Sequence, residues 1–138
     1  METIFENKFV TATFDQKQGL LIDIWHATTE RMTNDECWKV LESWSHFPET
    51  YKPSYILIDS RQMLFVLTPD MHEWIATHIT QPAIHFGLKK MATLLPTSTF
   101  EQVSMHQAVN EVAEERGLQT RIFDDETKAK NWLLSIEN

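Results

Sequence analysis

Hydrophobic residues lie along this chain in short runs that predict strands. Residues 9–15 alternate bulky and small side chains, which is typical of a half-buried strand. A polar turn ending at Gly19 separates them from the apolar run 20–25, and the pair predicts an antiparallel hairpin. Three later apolar runs predict one strand each: residues 54–58, 91–95 and 120–123.

Between these runs, helix-start signals precede apolar residues at helical spacing. Thr33 and Glu36 form a capping box, in which each side chain bonds the other residue's backbone N–H. Thr68 and Pro69 supply an N-cap hydroxyl and a proline at the first helical position. These signals predict a first helix after residue 33 and a second after residue 68.

Two more helices are predicted in the second half of the chain. One begins at Thr97 and stops at Gly117, with an inner face holding Met105, Val109 and Val112. The other is capped by Asp124 or Asp125 and turns four apolar residues inward: Ala129, Trp132, Leu133 and Ile136.

The order of these elements predicts an α/β fold. After the hairpin, strands alternate with helices, which favours parallel strands joined by right-handed crossovers. We expect one domain over residues 1–138, with a mixed, mostly parallel sheet of four or five strands and about four helices. The strand at residues 9–15 should run antiparallel to the others, and four tryptophans should be mostly buried: Trp38, Trp44, Trp74 and Trp132.

Composition narrows the classes of function. The net charge is −8 and the basic residues are scattered, so a nucleic-acid partner is not expected. Cys37 is the only cysteine and the first residues carry no signal-peptide pattern, which together favour a cytoplasmic location. The longest apolar runs are too short to cross a bilayer, so we expect no membrane insertion.

Several segments resemble one family. They are the hairpin FDQKQGLLIDIW, the helix start MTNDE, the strand end YILIDSR, TPDMHEW, GLKKMA and the final FDDETKAKNWL. Together they span nearly the whole chain, and their layout resembles the SpoIIAA-like, or STAS, fold. The resemblance is closest to small, stand-alone bacterial members of unknown role.

The resemblance implies a regulatory protein partner and a phosphorylation switch. In the regulatory STAS proteins a kinase phosphorylates a serine of an Asp-Ser-Ser-Gly motif, at the start of the helix after the third strand. The equivalent stretch here, residues 67–70, lacks the serine pair and the glycine but has a hydroxyl at Thr68. The resemblance therefore points to Thr68 as the modified residue, with Ser60 as a second choice.

Metal, cofactor and catalytic motifs do not emerge from the sequence. The six histidines show no HExxH spacing, the lone cysteine excludes CxxC, and three glycines form no phosphate-binding loop. Cys37 falls on the inner face of a predicted helix, where a thiol is usually inert. We expect no metal, no cofactor and no enzymatic activity.

Polar residues collect after the predicted strands, where open parallel sheets bind ligands. Asp59 and Arg61 follow one strand, and Thr97 follows the next. Either these residues cap the elements, with Arg61 paired to Asp59 or to Asp124, or they contact a small polar ligand or phosphopeptide centred on Arg61.

The apolar segment 63–67, which includes Phe65, interrupts the connection that follows Arg61. It either folds over the core, or it leaves an exposed patch that a partner or a second copy of the chain covers.

The function that these observations favour is a non-enzymatic STAS-like interaction module, acting through a protein partner or an unidentified small ligand. The alternative is a small-molecule or lipid-binding carrier of the same fold. The sequence shows no long apolar stretch that would mark a lipid pocket.

Overall fold

The computed structural model describes residues 1–106, 113–115 and 117–135. Within these residues, seven strands form one mixed sheet in the order β1-β2-β3-β4-β5-β7-β6. The strands are β1 (Glu2–Glu6), β2 (Val10–Asp15), β3 (Leu20–Trp25), β4 (Tyr55–Asp59), β5 (Lys90–Leu94), β6 (Ala113–Glu115) and β7 (Leu118–Phe123). The α/β class is confirmed, but the predicted count of four or five strands is wrong.

Five of the six described α-helical segments fall into helical regions that the sequence predicts, whereas Phe47–Tyr51 lies where the sequence, with Pro48 and Pro53, predicts a loop. The six are α1 (Asn34–Trp44), α2 (Phe47–Tyr51), α3 (Pro69–Ile75), α4 (Gln81–His85), α5 (Thr97–His106) and α6 (Glu126–Leu134). Segments α3 and α4 are joined by a π-helical stretch, Ala76–Thr80, and a 3₁₀ turn, Ala27–Arg31, follows β3.

The predicted hairpin forms, and its second strand, β3, is the first of the parallel strands. Strands β2 and β3 pair antiparallel, with Asp15 opposite Leu20 next to the turn, where Gly19 has a positive φ of 67°. Strands β3, β4, β5 and β7 then pair parallel in sequence. The hairpin strand therefore runs against the parallel core, as predicted.

Two strands at the edges of the sheet were not predicted. Strand β1 pairs antiparallel with β2, and its register shifts between Thr3 and Phe5. Strand β6 pairs antiparallel with β7. The predicted extent of the helix from Thr97 to Gly117 is wrong, because residues 113–115 form β6. Three residues are too few to show a strand periodicity. The predicted inner face of that helix lies outside the described side chains.

Local capping signals place the helices as expected. Thr33 Oγ1 accepts a hydrogen bond from Glu36 N, and Glu36 Oε1 accepts one from Thr33 N, which completes the capping box of α1. The helix then buries Cys37, Leu41 and Trp44 against the sheet. The helical regions α1–α2 and α3–α4 both lie over this face of the sheet.

In the described part of the chain, α6 packs on the opposite face of the sheet. Asp125 caps this helix by accepting a hydrogen bond from Lys128 N at 2.9 Å. Its buried residues meet a continuous apolar surface made by alternate residues of the parallel strands: Leu20, Ile22, Leu57, Ala92, Leu94 and Phe123. We call this side the packed face.

Two of the four tryptophans expected to be buried are buried, namely Trp44 and Trp132. Trp38 and Trp74 are half-buried, and their rings pack edge-to-face with centroids 5.9 Å apart.

In the described part of the chain, no helix is long and apolar enough to span a membrane.

Candidate functional site

The polar residues predicted after β4 form an ion-pair network. Arg61 Nε donates to Asp59 Oδ1 at 3.0 Å, and Arg61 Nη2 donates to Asp59 Oδ2 at 2.8 Å. The same Nη2 also donates to Glu126 Oε1 at 3.2 Å, which links the end of β4 to α6. This arrangement corresponds to the structural pairing of Asp59 with Arg61, and a ligand contact of Arg61 stays a prediction.

The electrostatics of Asp59 fit that structural role. Burial by itself raises the pKa of Asp59, but the hydrogen bonds and charge of Arg61 outweigh burial and hold the pKa below its ordinary value. The carboxylate therefore stays ionised near neutral pH, with both oxygens bonded to Arg61.

The hydroxyl groups proposed for phosphorylation are engaged in hydrogen bonds. Ser60 Oγ donates to the carbonyl of Leu94 at 2.7 Å. Thr68 Oγ1 accepts from Met71 N at 3.2 Å, as expected of the N-cap of α3. Thr97 lies at the start of α5 and is exposed. These three residues stay candidates for modification or contact.

The apolar segment 63–67 divides between the two alternatives predicted for it. Met63, Phe65 and Leu67 are half-buried and pack against the core beside α1. Leu64 and Val66 point the other way and are 58% and 87% exposed. The segment thus covers the core with one side and presents apolar side chains with the other.

A cavity of about 400 Å³ lies between the sheet and the helical regions α1–α2 and α3–α4. Ligand pockets in proteins have volumes of roughly 300–1,000 Å³ and are mostly apolar. This cavity is lined mainly by aliphatic and aromatic side chains from the strands below and the helices above, among them Leu41, Phe47, Ile75, Ile79, Ala83 and Leu88. We call this side of the sheet the cavity face.

The register of the strands sets the floor of the cavity. Leu21, Ile56 and Met91 form one cross-strand row. Asp23, Ile58 and Thr93 form the next row. Because successive side chains of a strand point to opposite faces, the residues between these rows belong to the packed face.

Asp23 is the buried polar group of this floor. It is only 4% exposed, and its Oδ2 accepts a hydrogen bond from Trp44 Nε1 at 2.9 Å. Its Oδ1 has no hydrogen-bond partner among the described residues. Burial raises the pKa of Asp23 to about 7, even though the Trp44 hydrogen bond lowers it. A buried carboxyl oxygen without a partner is costly, so the site favours a molecule that supplies one.

The cavity opens to the surface beside α3. His72 is exposed and yet lines the cavity, which marks this helix as part of the mouth. Met63 and Leu67 of the segment 63–67 also line it. Thr29, which is fully buried, accepts a hydrogen bond from Leu64 N at 2.9 Å and so fixes the position of that segment.

Metal and thiol chemistry find no support in the described residues. No three His, Cys, Asp or Glu side chains there are close enough together to hold a metal ion. Cys37 is fully buried, and burial raises the pKa of its thiol to about 11, which keeps it protonated and unreactive.

Sequence reasoning missed both the cavity and Asp23. A cavity produces no local motif, because it arises where helices fail to fill the space above a sheet. Asp23 did leave a signal, since it is the single acid within the apolar run 20–25. An acid in a buried strand needs a partner or a function.

Comparisons with family models, with curated proteins and with solved structures returned no significant match for this chain. The resemblance to the STAS family therefore stays a prediction from the sequence.

Proposed function

We propose that this chain is a non-enzymatic binding protein that holds a small, mainly apolar molecule in the cavity over the sheet. The observation that carries the proposal is Asp23, a buried carboxyl group whose Oδ1 lacks a partner among the described residues, within a mainly apolar lining. A ligand with an apolar body and one polar group would complete that hydrogen bond and fill the apolar space.

The volume bounds the ligand. At roughly 30 Å³ for each non-hydrogen atom, the volume of a water molecule in the liquid, 400 Å³ holds about 13 such atoms. This size suits a medium-length aliphatic chain or a two-ring compound, and it supports the small-molecule carrier over a carrier of long-chain lipids.

Binding of the neutral two-ring dye 1-naphthylamine, which is within this size, tests the proposal. We expect its fluorescence to shift to shorter wavelength on addition of the protein and the shift to saturate at one dye per chain. Thr93→Phe places a ring on the cavity floor and should weaken binding at least tenfold. Thr99→Phe, which adds the same ring at an exposed position of α5, should leave it unchanged. Equal binding by both variants would contradict the proposal.

A second candidate function is the STAS-like interaction module with a protein partner. The exposed side chains of Leu64 and Val66 favour it, because adjacent apolar groups in water often mark a contact surface. The double change Leu64→Asp and Val66→Asp should keep the fold and abolish partner capture. Phe65→Asp places a charge against the core and should destabilise the protein instead. Sedimentation of the wild type tests whether the partner is a second copy.

The phosphorylation switch and the cytoplasmic location belong to this second candidate. Thr68 is our proposed site, since the positive end of a helix dipole favours a phosphate group. Mass spectrometry of protein isolated from its native cells should find phosphate on Thr68, and phosphate confined to other residues would remove the switch. A single buried cysteine suits a reducing compartment.

A further inference from the structure

Two polar groups of the cavity lining can accept hydrogen bonds from a ligand. Asp23 Oδ2 is bonded to Trp44, and an ionised Asp23 Oδ1 needs a donor from the ligand. The hydroxyl proton of Ser60 is donated to the carbonyl of Leu94, so the oxygen of Ser60 offers lone pairs to its other neighbours. Thr80 and Thr93 also line the cavity, and a hydroxyl group both donates and accepts. A ligand that satisfies Asp23 must therefore donate a hydrogen bond.

The charged groups of the cavity lining also favour a ligand that donates hydrogen bonds. Among the described residues lining the cavity, the titratable side chains are Asp23 on the floor and His72 at the mouth, and there is no lysine or arginine. A ligand carboxylate placed against Asp23 would meet a second acid with no cation between them. A ligand cation would instead restore the ionised form of Asp23 and form charge-assisted hydrogen bonds, about twice as strong as neutral ones.

Three aromatic rings line the cavity to which the carboxyl group of Asp23 belongs. Trp25 is two residues from Asp23 on β3, and it lines the cavity together with Trp44 and Phe47. The ring centroids of Trp25 and Trp44 are 6.1 Å apart, and those of Trp44 and Phe47 are 4.9 Å apart. The faces of aromatic rings attract cations, so the rings and the carboxylate favour the same kind of group.

Building on the binding function proposed above, we propose that the ligand is a hydrophobic amine whose ammonium group bonds Asp23 beside Trp25 and Trp44. The ammonium donates one hydrogen bond to Asp23 Oδ1, and its apolar body lies over Ile58 toward the helices. This assignment names the chemical class of the ligand by its head group and its size.

Calorimetric titration with 1-decylamine, 1-decanol and decanoic acid tests this class with one chain length and three head groups. We expect decylamine to bind at least tenfold more tightly than decanol at pH 8, and decanoic acid to bind most weakly. Asp23→Asn should remove the preference for the amine and change decanol affinity less than twofold. Glu42→Gln, which removes one exposed acid of α1, should change neither.

The pH dependence of decylamine affinity is an independent test of the amine assignment. Decylamine affinity should rise from pH 5.5 to pH 8, because the free protein must release the proton of Asp23 to form the ion pair. Asp59 of β4, which also acts on Asp23, stays ionised over this range. The slope should disappear in Asp23→Asn, and a slope of equal size in that variant would overturn the assignment.

The outcomes separate this inference from the function on which it rests. Equal affinity for the three compounds, or an affinity for decanoic acid that exceeds that for the amine, would overturn the amine assignment and leave cavity binding intact. If none of the three binds and the dye does not bind either, both proposals fail. If Asp23→Asn does not fold, the three head groups on the wild-type protein still decide the question.

Discussion

The two faces of one sheet are built from the same strands, yet they are filled differently. On the packed face, α6 buries Ala129, Trp132 and Leu133 against the strands, and Lys90 Nζ donates a hydrogen bond to the carbonyl of Trp132. On the cavity face, longer helical regions leave about 400 Å³ unfilled and a carboxyl group below it. The cavity face thus holds a buried carboxyl oxygen that lacks a partner among the described residues, with open space above it.

The largest expected effect is the loss of folding stability with rising pH that the buried Asp23 of the cavity face causes. Because its folded-state pKa of about 7 lies above the ordinary 3.8, folding favours the protonated carboxyl, and stability should fall as the pH rises from about 4 to 7. The shift corresponds to roughly 4 kcal/mol, fully lost above pH 7. Asp23→Asn should therefore gain stability over the wild type as the pH rises, as measured by urea unfolding at pH 4.5 and pH 8. An equal difference at both pH values would show that Asp23 is not buried as described.

Truncation of adjacent residues of β4 compares the two faces directly. Leu57 is buried on the packed face, and Leu57→Ala should cost about 3–5 kcal/mol, since it opens a new void. Ile58 borders the existing cavity, and Ile58→Ala should cost nearer 2 kcal/mol. Denaturant unfolding of both variants measures the difference, and a larger loss for Ile58→Ala would contradict the described packing.

Larger side chains at adjacent residues of β5 should also destabilise the packed face more than the cavity face. Ala92 is fully buried on the packed face, and Ala92→Leu should cost about 1–3 kcal/mol by overpacking. Thr93 faces the cavity, and Thr93→Leu should be tolerated within about 1 kcal/mol, because the added carbon atoms have space. Thermal unfolding checks the pair, and similar losses would mean that the cavity is closed in solution.

The smallest effects come from the helix caps over each face. Thr68→Ala and Asp125→Ala each remove one N-cap side-chain bond and should cost about 1 kcal/mol. Only Thr68→Ala should also weaken dye binding, because α3 carries cavity-lining residues and α6 does not. A loss of dye binding in Asp125→Ala as well would show that the two faces are coupled.

Local chemistry made the helix starts and the hairpin predictable. The capping box at Thr33 and Glu36, the N-cap at Thr68 and the turn at Gly19 act within a few residues, so the sequence alone determines them. The alternation of strands and helices likewise determined the α/β class and the parallel core. Strand β1, strand β6 and the exact count of strands did not follow, because short edge strands depend on a neighbouring strand to pair with.

Only the tertiary structure decided which of two acids, Asp23 or Asp59, belongs to the candidate binding site. In the sequence, Asp23 and Asp59 both lie in or next to apolar strand runs. Only Asp59 has an arginine, Arg61, two residues away, and so only Asp59 was predicted to belong to a site. Folding gives Asp59 a bidentate partner, while it places Asp23 on the other face, below helices that leave an oxygen unpaired. The sequence determines that each strand has two faces, but what covers each face depends on packing between distant segments. The cavity, and with it the candidate function, arises from that packing.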